Sequence, residues 1–104
     1  MILEVVILNI IPGQEHEFEA AFETASPIIA SMHGYRWHQL QHCVEAQNRY
    51  LLLVQWAMLE DHMVGFRSSA QYQEWRKLLH HFYDPFPTVE HYKLVQDYAE
   101  KTSG

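Results

Sequence analysis

Two stretches of this sequence are apolar at both parities, and that pattern narrows the folds open to the chain more than any other feature. Ile2 to Ile11 is interrupted only by Glu4 and Asn9, and Leu51-Leu52-Leu53-Val54 sits inside the run from Arg49 to Trp56. Apolar, largely branched residues at successive positions mean strands covered on both faces. A single layer of helices covers one face of a sheet, so the other face requires a second cover. A chain of 104 residues has room for one core. It is therefore read as a single domain, 1–104, with a packed body over 2–95 and a tail over 96–104.

Between these strands the period changes. Pro12-Gly13 breaks the first strand. Phe18, Ala21, Phe22, Ala25, Ile29 and Met32 then recur at helical spacing, with glutamates filling the remaining faces. Pro27 falls inside that helix, where its missing N–H predicts a kink or a restart with Ser26 as N-cap. Gly34 closes it, and Tyr35 to Val44 alternates loosely as a second strand. Glu45-Ala46-Gln47-Asn48 is a polar turn into the third strand, Arg49 to Trp56.

A short helix is predicted over Leu59 to Phe66. A longer one follows, opened by the capping-box pair Ser68 and Gln71 and carrying Tyr72, Trp75, Leu79 and Phe82 on one face. These aromatics are expected to be core. Asp84-Pro85-Phe86-Pro87 stops the helix, and Thr88 to Val95 is the last strand. The order β-α-β-β-α-β is the α+β, ferredoxin-like split arrangement with an antiparallel sheet. Helices on one face leave the other bare, so the doubly apolar strands predict a homodimer through the sheet faces, with Tyr35, Trp37 and Tyr50 as candidates for that contact.

Charge and composition remove several partners. The net charge is −6 and no basic stripe tracks a phosphate backbone, which argues against nucleic acid. No apolar run approaches the ~20 residues of a membrane span. The start Met1-Ile2-Leu3-Glu4 lacks a signal peptide's basic region, and a lone Cys43 forms no internal disulfide, so a cytoplasmic location is expected. Eight histidines against seven Lys plus Arg is the unusual feature. Nothing in their spacing asks for a metal. His38 and His42 share a strand face but stand about 13 Å apart at ~3.3 Å per residue, and no His-x-x-x-His falls on a helix.

Three segments resemble the antibiotic biosynthesis monooxygenase family: the first strand ending in Pro12-Gly13-Gln14, the Pro27…Gly34-Tyr35 junction, and Asn48-Arg49-Tyr50-Leu51-Leu52-Leu53-Val54-Gln55-Trp56. The resemblance spans most of residues 2–95. It implies a dimeric α+β barrel of two ferredoxin-like sheets and oxidation of phenols, quinols or polyketide aromatics by O₂ without metal or flavin. The family's usual His, nine residues after the strand-end Trp, is replaced here by Gly65; the Ser three residues further on matches Ser68, and the nearest histidine is His62. The positions of the haem-degrading branch's Asn, Trp and His fall on Val6, Gly65 and Trp75, which argues against haem degradation.

The candidate chemistry starts from His62 and Phe66, which share a helical face at i, i+4 just beyond Trp56. A histidine exchanges protons near neutrality, and a deprotonated phenol or hydroquinone is electron-rich enough to pass an electron to O₂. His80-His81-Phe82-Tyr83 is the second candidate. Adjacent helical residues point about 100° apart, so one of the two histidines faces inward, and His81 is expected there. A histidine at a helix C-terminus also has a plainer reason, a macrodipole gain of ~0.3–1 kcal/mol. The expectation is thus His62 and His81 as catalytic residues, with Trp56, Phe66 and Tyr83 shaping a site for a small aromatic or quinol ligand and no cofactor. The alternative is a non-catalytic ligand-binding or stress-response dimer on the same fold, because fold does not decide function.

Overall fold

A computed structural model describes residues 1–101. Strands β1 (Ile2–Asn9), β2 (Tyr35–His42), β3 (Arg49–Trp56) and β4 (Val89–Lys93) form one sheet in the order β2-β3-β1-β4, every pair antiparallel. Helices α1 (Glu15–Ala30) and α2 (Ala70–Leu79) are its principal helices. This is the α+β, ferredoxin-like arrangement. Strands β2 and β4 are each about two residues shorter than the sequence pattern at their C-terminal ends, and residues 94–101 carry no regular structure. Residues 102–104 of the expected tail lie outside the described residues.

Strand parity settles which apolar residues make the core. Val6 and Leu8 of β1 and Tyr50, Leu52, Val54 and Trp56 of β3 are buried on the helix side against Phe18, Phe22, Ala25 and Ile29 of α1 and Trp75 and Leu79 of α2. Phe18 packs against Phe22, Tyr50, Phe82 and Tyr83 with centroids 5.0–6.2 Å apart. Buried rings of this kind contribute roughly 1.5–3 kcal/mol each. The opposite parity, with Leu3, Val5, Ile7, Leu51 and Leu53, faces away from the helices, and Ile7 is 53% exposed. Trp37 shares this outer face. Tyr50 does not: it is buried on the helix side and its hydroxyl donates to Glu19 at 2.6 Å. Tyr35 likewise turns inward, to Trp56 and His38.

Two capping expectations are corrected. Helix α1 runs through Pro27 without restarting, and Ser26 is an interior residue whose hydroxyl donates to the Phe22 carbonyl at 3.0 Å. The hydrogen bond that Pro27 removes would have ended on Glu23, an exposed residue whose carbonyl water can satisfy. The cap of α2 is Ser69, which accepts the Tyr72 N–H at 3.1 Å. Ser68 is held in the preceding turn, its N–H and hydroxyl both bonded to the Val64 carbonyl. That turn, Asp61–Phe66, is where a short helix was expected, but it is wound as a π-helix: the Arg67 N–H reaches five residues back to the His62 carbonyl.

Gly34 joins α1 to β2 with φ +83°, and a Cβ there would overlap the Asp61 carboxylate, whose Oδ2 accepts the Met58 N–H at 3.0 Å. Gly13 also has positive φ but stands in open space. Gly34→Ala is therefore expected to cost about 2–3 kcal/mol in denaturant unfolding and Gly13→Ala about 1 kcal/mol. Equal costs would mean that the Asp61 contact carries no weight.

Candidate active site

Between the sheet and the helical layer lies a cavity of about 420 Å³. One wall is aromatic: Phe66 closes the π-turn, Tyr72 and Trp75 come from α2, and Tyr83 and Phe86 come from the segment leading into β4. The polar part is built by three elements. Glu4 is the helix-side residue at the middle of β1, and the sheet register pairs it with His91 of β4 and Val54 of β3. His62 is presented by the π-turn. Glu4, His62 and His91 all line the cavity.

These side chains form a chain of contacts. The Trp56 indole N–H donates to Glu4 Oε1 at 2.9 Å. His62 Nε2 lies 3.4 Å from the same oxygen, and His62 Nδ1 is hydrogen-bonded to His91 Nε2 at 2.8 Å. The His62 ring stacks on Trp56, with centroids 5.5 Å apart and planes 20° from parallel. Both ring nitrogens of His62 are thus turned toward protein groups, while no hydrogen bond ends on Glu4 Oε2 among the described residues.

Burial decides the charge states. Glu4 is 5% exposed, and desolvation raises its carboxyl to about 7 against the smaller opposing pulls of the Trp56 N–H and Arg67. Desolvation lowers His62 to about 3, helped by Arg67 and His91. Glu4 and His62 therefore rest as a neutral acid and a neutral imidazole between about pH 3 and about pH 7, not as an ion pair. Burial also lowers His91 and raises Tyr83, which stays a phenol.

The structure places the sequence candidates as follows. His62, Phe66 and Tyr83 line the cavity. Trp56 is fully buried behind that surface, and it supports Glu4 and His62 instead of forming a wall. His81 does not line the cavity: it is exposed and lies against Phe82. His80 takes the inward place, 5.1–5.9 Å from Tyr72, Tyr83 and Phe86, and burial lowers it to about 4. Helical spacing carried on from α2 accounts for it: at about 100° per residue His80 lies about 80° around the axis from Tyr72, and His81 lies about 180° from it. Tyr72 and Trp75, read as core, belong partly to the wall. Sequence reasoning missed Glu4 as a site residue. Its signal was present: one acidic residue in β1 with the parity of Val6, Leu8 and Ile10. Among the described residues no group of three or more His, Cys, Asp or Glu is placed to hold a metal ion.

This cavity sits in a recognised class of chain. The model of the antibiotic biosynthesis monooxygenase family matches residues 1–78, and the chain belongs to that family. More particularly, it is 56% identical over 95 residues to the uncharacterised protein YczJ of Bacillus subtilis, covering 91% of this chain and all of that one. A crystal structure from Bordetella bronchiseptica, described as of a putative antibiotic biosynthesis monooxygenase, superposes with a TM-score of 0.87 at 38% identity over 91% of this chain and 97% of its own. SnoaB from Streptomyces nogalater, described as a cofactor-independent oxygenase, shares the fold with a TM-score of 0.78 at 19% identity, over 95% and 97% of the two chains.

Two opposed dependences on pH follow from the buried pair. Glu4 binds more protons folded than unfolded between its ordinary value of 4.5 and about 7, so its contribution to stability falls as pH rises through that window. His62 binds fewer between about 3 and 6.5, so its contribution grows with pH there. Glu4→Gln removes only the first. Its stability relative to wild type is expected to improve by about 3 kcal/mol between about pH 4 and about pH 8 in urea unfolding. A difference that does not change with pH would show that Glu4 titrates normally.

Proposed function

We propose that this protein is a cofactor-independent monooxygenase that oxidises a small phenolic, quinol or related aromatic compound with O₂ inside the cavity. The observation that carries the reading is the cavity itself, an aromatic wall facing a buried imidazole and carboxyl, in a chain of the antibiotic biosynthesis monooxygenase family. A flat aromatic substrate fits between Phe66, Trp75 and Tyr83, with its hydroxyl toward Glu4 and His62. Loss of the hydroxyl proton leaves an electron-rich anion that transfers an electron to O₂. For an anthrone the substrate supplies all the electrons: its ring CH₂ and O₂ become C=O and H₂O. His62 belongs to the proton-handling group, and His80 takes the cavity place expected for His81.

The outer face of the sheet supports a homodimer. Leu3, Val5, Ile7, Leu51 and Leu53 form an apolar surface that a second copy of the chain covers, as the family fold implies. The mass in solution at micromolar concentration is expected to be that of two chains.

Oxygen uptake with a panel of hydroquinones and anthrones tests the activity. Wild type is expected to consume O₂ with at least one of them, and His62→Ala to lower the rate about a hundredfold. Unchanged uptake in the variant removes His62 from the chemistry. Ligand binding without uptake by wild type leaves a binding protein on the same fold.

A further inference from the structure

We propose that Glu4 is the catalytic residue that takes the substrate's hydroxyl proton, and that His62 and His91 form a relay passing that proton to solvent. The inference rests on the oxygenase reading above and names the group that acts within it. Both nitrogens of His62 are turned toward protein partners, Nε2 to Glu4 at 3.4 Å and Nδ1 to His91 at 2.8 Å. A substrate hydroxyl would have to displace one of them to reach the imidazole. Glu4 has a free oxygen instead. Oε1 is held by the Trp56 N–H at 2.9 Å, and Oε2 has no hydrogen-bonding partner among the described residues, in a side chain that lines the cavity.

The proton's path conserves atoms and charge. The substrate O–H bond breaks, its electron pair stays on the substrate oxygen, and the proton bonds to Oε2 of the Glu4 carboxylate. A half-turn of the carboxyl brings that proton beside His62 Nε2. As His62 accepts it, the imidazole gives its Nδ1 proton to His91 Nε2, and His91 gives its own Nδ1 proton to water. Each imidazole accepts at one nitrogen and releases at the other, so neither ends charged, and Glu4 returns to a carboxylate. His91 is the half-buried end of the chain, on β4. The gap of 3.4 Å between Glu4 and His62 is a few tenths of an ångström beyond a hydrogen bond of about 3 Å, which a small rotation closes.

The polar and titratable groups that face Glu4 come from every element around it. They are Trp56 from β3, His62 and Arg67 from the π-turn and its end, His91 from β4, and Tyr83 from the approach to β4; burial, Trp56 and Arg67 set its proton affinity. Tyr72 of α2 and His80 line the same cavity. Arg67 is the cation among them, and its attraction is outweighed by burial, so the carboxyl ionises near neutrality and works as a base there.

The test uses the full chain with two substitutions that keep shape. In Glu4→Gln the amide oxygen still accepts from Trp56, so the fold is retained. Its kcat with an anthrone is expected to fall about a hundredfold with KM changed less than about threefold, and the rise of kcat through about pH 7 should vanish. His91→Gln is expected to lower kcat about tenfold and to recover it with added imidazole, a rescue that a merely structural role does not allow. A wild-type pH profile in Glu4→Gln, or a His91→Gln rate unmoved by imidazole, overturns the proposal. A coloured hydroxyanthraquinone, already oxidised, separates this inference from the oxygenase reading, because its spectrum reports its own ionisation. After a jump to alkaline pH, wild type is expected to ionise the bound dye about a hundredfold faster than Glu4→Gln does, since a base opens a path for the proton without moving the equilibrium. If wild type ionises the dye faster than Glu4→Gln but consumes no O₂ with the anthrone, the oxygenase reading falls and proton transfer to Glu4 stands. If Glu4→Gln oxidises the anthrone as wild type does, the reverse holds.

Discussion

The Trp56 indole donating to Glu4 is the contact on which the cavity depends. A carboxyl on the helix side of a central strand has lost its water, and an acceptor buried without a partner costs about 1–3 kcal/mol, more when charged. The indole N–H supplies one bond at 2.9 Å, and Trp56 is itself locked by complete burial at the end of β3. The register of the sheet places Trp56 opposite Ile2 and Val54 opposite Glu4, so the indole reaches the carboxyl diagonally across two strands. The same register puts His91 opposite Glu4 on the other side of β1. Strand pairing, a fold-level property, therefore brings Glu4, Trp56 and His91 together before any helix is added.

The π-turn adds the remaining member. Its bonds reach five residues back, which widens the turn and lets His62 and Phe66 lie on one side of it, their ring centroids 6.4 Å apart. His62 is pressed flat on Trp56 and Phe66 is tilted against the same indole at 5.9 Å. Trp56 thus fixes the carboxyl with its N–H and the imidazole with its face. A substitution there would disturb Glu4 and His62 together, although Trp56 is not part of the cavity surface.

The fold was legible because its signals are additive. The Pro12-Gly13 break, the period of α1 and the end of β3 at Trp56 each repeat the same message over many residues, and the four strands came out in the expected order. The site was legible only in part, because it depends on single residues whose direction is set by tertiary structure. A sequence apolar at both parities hides which face meets the helices, so Glu4 passed as an interruption in a strand. His80 and His81 differ by one position, and which of them faces inward is decided against Tyr72 and Tyr83, whose place in the cavity wall is a tertiary property. Ser69 in place of Ser68 has a local origin, since a π-turn holds the earlier serine one residue longer. Where the local period departs from 3.6, facing arguments taken from sequence slip by a residue.

The two faces of the sheet divide its tasks. Every residue around the cavity belongs to the helix side, and the open apolar surface belongs to the other parity of the same strands. A partner covering the outer face would stiffen β1 and β4, the strands that carry Glu4 and His91, without adding a group to the polar cluster. That matters for a buried carboxyl whose proton affinity is set chiefly by exclusion of water. In a single chain, β4 is a five-residue edge strand paired on one side only, and its opening would admit water to both Glu4 and His91. Holding that edge closed keeps the carboxyl near neutrality, where it can both accept and release a proton. A partner on the apolar outer face would thus act on the chemistry proposed for the inner one through the rigidity of two strands.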